Sequence, residues 1–238
     1  MKWIEPFELK PGVTAVIGSG GKTSLIEALA EELGRENRVI VTTTTKIRPP
    51  FYCPVLTGAT REDVRRALER SSVVCVGEPV PARNGKGETE TKLEAPRLAL
   101  RELAELAPYV LIESDGAKHL PLKAHKPHEP VIPEEARLVI QIVGASGIGR
   151  SIGSAVHRPE TFLERLGSPG LTVQTIATPE RVAAVLAAER RGDILFINQT
   201  DTEEDRRNAE RLAQCAETLG YRRIVAGSIR KRRMECLY

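Results

Sequence analysis

The stretch V-I-G-S-G-G-K-T-S-L, residues 16–25, constrains the fold more than any other part of this 238-residue chain. Val13–Ile17 is a short apolar run, which reads as a buried strand. Gly18-Ser19-Gly20-Gly21-Lys22-Thr23 follows it directly. Leu25, Ile26, Leu29, Ala30 and Leu33 then recur at helical spacing until Gly34. A strand that turns through glycines into a helix aims backbone N–H groups inward, and the helix N-terminus adds positive potential. The expected ligand is a phosphate chain, held by Gly18, Ser19, Gly20, Gly21 and Ser24, with Lys22 on the outer phosphates and Thr23 on Mg²⁺. The alternative is a tight strand-to-helix turn with a surface lysine.

The long phosphate-loop spacing G-x-x-x-x-G-K-[ST] requires glycine at position 16, where Val16 stands. The shorter form G-x-x-G-K-T, present here, occurs in P-loop enzymes that resemble the Mur ligases. A dinucleotide fingerprint is disfavoured, because Thr23 replaces its third glycine.

Continuous apolar runs at Val13–Ile17, Arg38–Val41, Ser72–Val76, Tyr109–Ile112, Arg137–Val143, Ile194–Ile197 and Arg222–Val225 predict strands, the last of these closing the series. Thr23–Leu33, Arg61–Arg70, Glu94–Leu106, Pro159–Leu166, Pro179–Ala188 and Thr202–Leu219 predict helices, and Pro79–Thr91 a loop or exposed hairpin. Strands without polar alternation, separated by helices, predict a parallel sheet covered on both faces. The fold class is therefore α/β: a three-layer, P-loop NTPase-like fold with a mostly parallel sheet. It is read as a single nucleotide-binding domain over 1–238, with a lid or substrate loop at 117–133. Ligands of such sheets bind at strand carboxyl ends, so the loops at Gly18, Thr42, Glu113, Gly144 and Asn198 are expected to share one face.

A net charge of +3 is too small to call for nucleic acid. Arg230–Arg233 reads as a solvated basic tail, with contact to an anion as the alternative. Four scattered cysteines without C-x-x-C argue against a zinc site and suit a reducing cytoplasm. No apolar run approaches the ~18 residues of a membrane span.

Other segments supply candidate partners for the phosphate loop. Glu113 directly follows the apolar run Y-V-L-I, and Asp115 lies two residues on. A carboxylate there can hold Mg²⁺ or orient an attacking group, so Lys22, Glu113 and Asp115 are the catalytic candidates. The threonine run 42–45 reflects either strand propensity or contact with phosphate or metal-bound water, with Thr44 assigned to the substrate. Asn198 and Asp201 in N-Q-T-D match the N-K-x-D element by which G-proteins read guanine; the alternative has Asp201 capping the next helix. Gly144–Gly149 reads as a flexible loop over the site. In the proline-broken stretch 117–133, Lys118, Lys123, His125 and Lys126 are expected to meet an anionic second substrate, the alternative being simple solvation. Pro127 breaks the helix that His125 and His128 would need to share a metal.

The set G-S-G-G-K-T, T-T-T-T-K, E-S-D-G-A-K, P-L-K-A-H-K-P-H-E-P-V-I-P, V-H-R-P-E and N-Q-T-D resembles the selenium-dependent hydroxylase accessory proteins, the YqeC family, in order along nearly the whole chain. The resemblance implies a protein that binds ATP or GTP with Mg²⁺ and assists maturation of selenium-dependent molybdenum hydroxylases. The expected activity is NTP hydrolysis or phosphoryl transfer. The alternatives are a non-catalytic nucleotide-switched chaperone and a Mur-like ATP-dependent ligase. The expected partners are an anionic small molecule, a molybdenum cofactor or the hydroxylase itself, with neither nucleic acid nor membrane, in the cytoplasm.

Overall fold

The structure, a computed structural model, describes residues 2–83, 87–116 and 119–238. Its strands are β1 (Gly12–Gly18), β2 (Val39–Thr43), β3 (Val55–Leu56), β4 (Val73–Val76), β5 (Glu78–Arg83), β6 (Thr89–Glu94), β7 (Tyr109–Glu113), β8 (Leu122–Lys123), β9 (Ala136–Gly144), β10 (Val156–His157), β11 (Ile194–Asn198), β12 (Arg223–Ser228) and β13 (Arg233–Cys236). Its helices are α1 (Lys22–Leu33), α2 (Arg61–Arg70), α3 (Leu100–Leu106), α4 (Ile152–Ala155), α5 (Pro159–Leu166), α6 (Pro179–Glu189) and α7 (Glu203–Ala216). Nine strands form one sheet in the order β13-β12-β11-β9-β1-β7-β2-β4-β3. Every neighbouring pair is parallel except β12–β13.

Successive residues of one strand enter different cores, which is why the strands read as unbroken apolar runs. On β7, Tyr109 and Leu111 join the core beneath α1, whereas Val110 and Ile112 face the core of α2 and α3. On β11, Ile194 and Phe196 lie on the α1 side, and Leu195 and Ile197 pack against α6 and α7. The result is a three-layer α/β fold with a mostly parallel sheet. No helix among the described residues is long and apolar enough to cross a membrane.

Four expectations need correction. The helix expected at Glu94–Leu106 begins only at Leu100, because Thr89–Glu94 pairs with Glu78–Arg83 as a hairpin and Pro96 lies between. Arg222–Val225 is not the last strand, since β13 adds an antiparallel edge. The basic segment 230–233 is exposed, as expected, but it is a turn leading into β13 rather than a tail, and Arg233 donates to the Thr200 carbonyl at 2.8 Å. Gly144–Gly149 is no loose flap: Ala145–Gly147 forms a 3-10 turn whose alanine is buried, and the Gly144 N–H donates to the Pro121 carbonyl at 2.9 Å.

Candidate functional site

β1 lies between β7 and β9, so its carboxyl end opens at the centre of the sheet. Gly18 ends it with φ +92°, and a Cβ there would stand 2.2 Å from the Ile142 carbonyl oxygen. Only glycine permits that approach and that backbone. Gly21 caps α1 with no side-chain hydrogen bond. The first N–H groups of α1 are thus left for a ligand at the positive end of the helix dipole.

The side chains that converge on this turn come from distant segments. Lys22 is buried; its Nζ donates to the Gly18 carbonyl at 2.7 Å and stands 3.0 Å from Asp115 Oδ1 and 3.9 Å from Glu113 Oε1. Thr23 Oγ1 donates to Glu113 Oε2 at 2.8 Å. Register explains the meeting: Glu113 lies opposite Val16 on β1 and Thr43 on β2. Burial raises the Glu113 carboxyl above its ordinary range, against the pull of Lys22. Thr23 and Glu113 offer hard oxygens of the kind that suit Mg²⁺. Among the described residues no group of three or more His, Cys, Asp or Glu side chains is placed to hold a metal by itself.

Asp115 is fully buried and accepts from the Gly18 N–H at 2.8 Å. Its Oδ2 also meets Lys123 Nζ at 3.1 Å and His125 Nε2 at 2.7 Å. Burial works to raise this carboxyl, but Lys22, the His125 hydrogen bond and Lys123 prevail and hold it well below the usual carboxylate range. His125 Nδ1 meets Glu189 Oε2 at 2.5 Å, and the His125 N–H donates to Glu189 Oε1 at 2.7 Å. Both ring nitrogens face carboxyl groups, an arrangement that favours the protonated ring. A buried ionic chain therefore runs from Lys22 through Asp115 and His125 to Glu189. Lys123 branches from it to Glu129, which Arg158 clamps with both guanidinium nitrogens.

Of the residues assigned to an anionic substrate, Lys123 and His125 face Asp115, with side chains only 1% exposed. Lys126 is exposed, Thr44 donates to the Val131 carbonyl at 2.8 Å, and Lys118 lies outside the described residues. Glu189 was not foreseen: it ends an ordinary amphipathic helix, and nothing in A-A-E-R-R distinguishes it from a solvated acid. At the opposite side of the turn, Asn198 Nδ2 donates to the Gly20 carbonyl at 2.7 Å. Gly20, Gly21, Ser24, Asn198 and Asp201 line one open cleft of about 550 Å³.

The ionic chain predicts a pH dependence. Burial works to lower the His125 pKa, but the hydrogen bonds to Asp115 and Glu189 outweigh it and raise the value. Unfolded histidine titrates near ~6.5, so this contribution is complete below that pH and is lost as pH rises through the higher folded value. Thermal melts without nucleotide are expected to show stability falling above about pH 6.5, and His125→Gln should flatten that fall. An equally steep fall in the variant would exclude the imidazolium.

The chain matches the family model described as "YqeC protein" over residues 14–160. That span contains the glycine turn, Glu113, Asp115 and the ionic chain as far as Arg158. It is also 34% identical over 169 residues to the uncharacterized protein YqeC of Escherichia coli (strain K12). The match covers 69% of this chain and 65% of that protein's length.

Proposed function

This chain belongs to the YqeC family, and from that premise we propose that it is a Mg²⁺-dependent nucleoside triphosphate-binding protein, an NTP hydrolase or phosphotransferase, which assists maturation of selenium-dependent molybdenum hydroxylases. The observation that carries the reading is the convergence of Lys22, Thr23, Glu113 and Asp115 on a glycine turn whose helix lacks a side-chain cap. The maturation role is supported by the motif set that resembles the accessory proteins. Its second ligand would be an anionic small molecule, a molybdenum cofactor or an acidic face of the hydroxylase, and Lys126 is the exposed cation of the 119–133 segment.

Lys22 would neutralise charge that develops on the outer phosphates. Its ammonium is held inside the turn by the Gly18 carbonyl and Asp115. Asp115 positions the turn through the Gly18 N–H and anchors Lys22. Thr23 and Glu113 would hold Mg²⁺, whose chemistry is Lewis-acid neutralisation of phosphate oxygens.

Phosphate release or transfer from ATP and GTP, followed over a Mg²⁺ titration, tests this. Glu113→Gln is expected to raise the Mg²⁺ concentration at half-maximal turnover about 10–100-fold, with nucleotide affinity changed far less. Superimposable Mg²⁺ curves for the two proteins would remove Glu113 from the metal site. Absence of binding and turnover in the wild type would remove the activity.

A further inference from the structure

The open cleft beside the glycine turn extends from Gly20, Gly21 and Ser24 to Asp201, Ser228 and Arg230. Its volume of about 550 Å³ suits a nucleoside. Asn198 sets the distance between its ends, donating to the Gly20 carbonyl and accepting from the Ile229 N–H at 3.1 Å. Six of its ten lining residues lie beyond the 14–160 span of the family match.

Asp201 is the acid of this cleft, and it has no helix to cap. Thr202 caps α7 and forms a reciprocal capping box with Asp205. Instead, Asp201 Oδ1 accepts from Ser228 Oγ at 2.6 Å, and Ser228 Oγ accepts in turn from the Lys231 N–H at 3.0 Å. The carboxylate is therefore oriented from behind. Its Oδ2 faces the Arg230 guanidinium at 3.6 Å, beyond hydrogen-bonding distance, and the Asp201 side chain keeps 23% of its exposure.

A carboxylate only accepts hydrogen bonds, so its complement is an edge with two adjacent donors. Guanine presents N1–H beside its 2-amino group. Adenine and cytosine each set a ring-nitrogen acceptor beside the amino group, and uracil sets carbonyls on both sides of its N–H; each would point a lone pair at the carboxylate. The face of the base has a cover as well. Gln199 lines the cleft beside Ser146, with φ 63° and its Oε1 accepting from Ser146 Oγ at 2.6 Å. Arg230, 78% exposed with its guanidinium 3.6 Å from Asp201 Oδ2, has a planar cation that can lie flat on a ring.

Resting on the nucleotide-binding reading above, we propose that this cleft selects guanine nucleotides: Asp201 accepts from N1–H and the 2-amino group, and Arg230 covers the ring.

The test is calorimetric titration of GTP, ITP, ATP, XTP and inorganic triphosphate, with Mg²⁺, into wild type, Asp201→Asn and Arg230→Ala. Wild type is expected to bind GTP about 10–100-fold more tightly than ATP, with ITP, which lacks the 2-amino group, in between. Asp201→Asn replaces one acceptor with a donor, so it should lose affinity for GTP and gain affinity for XTP, whose O2 accepts. Arg230→Ala should weaken GTP several-fold and leave the GTP-to-XTP ratio unchanged. Equal wild-type affinities for GTP and ATP, or an unchanged GTP-to-XTP ratio in Asp201→Asn, would overturn guanine selection while leaving the phosphate site standing. Failure to bind every nucleotide and inorganic triphosphate would overturn both.

Discussion

Lys22→Ala is expected to lower triphosphate turnover by about 10²–10³-fold, the largest functional loss of any single substitution at this site. The lysine is the cation inside the turn, buried to 5% exposure within reach of Gly18, Glu113 and Asp115. An ammonium in such a place acts where water is scarce, which enlarges its effect on a phosphate. The fold should survive, because Asp115 keeps Lys123 and His125 as counter-charges. Turnover and a thermal melt, measured on one preparation, separate the two outcomes. A folded variant with wild-type turnover would reduce the glycine turn to a structural strand-to-helix connection.

Asp115→Ala should produce the largest loss of stability. It removes the one anion that, among the described residues, is shared by Lys22, Lys123 and His125, together with the acceptor of the Gly18 N–H. Deleting one partner of a buried ion pair costs about 3–5 kcal/mol. For a chain of this length that is a fall in Tm on the order of 10 °C. Asp115→Asn keeps an acceptor for Gly18 but not the charge, so it should lie between wild type and alanine. A Tm within about 2 °C of wild type for Asp115→Ala, less than roughly 1 kcal/mol, would show that the three cations settle elsewhere at little cost.

The phosphate-loop reading depended on residues 13–33, all of which act within one strand–turn–helix unit. Its glycines declare their backbone requirement locally, and Gly18 meets it with a positive φ against β9. Glu113 was legible for a similar reason: an acid directly after an unbroken apolar run must emerge at a strand end. Lys123 and His125 were singled out for charge among prolines, which marks them as unusual but does not say which way they face. Residues 121–125 are buried, and their charges are balanced inside the protein.

The amino-acid sequence alone determined the alternation of strands and helices, the parallel three-layer sheet and the turn between β1 and α1. Each of those follows from the period and continuity of hydrophobic residues over a few consecutive positions. Tertiary structure alone decided that Glu189 anchors His125 across 64 residues and that Asn198 holds Gly20 across 178. Those partnerships depend on β1 lying between β7 and β9, with β11 next in the sheet. Strand order is set by how whole faces bury against α1 on one side and α6 and α7 on the other, and no short run of residues contains that information.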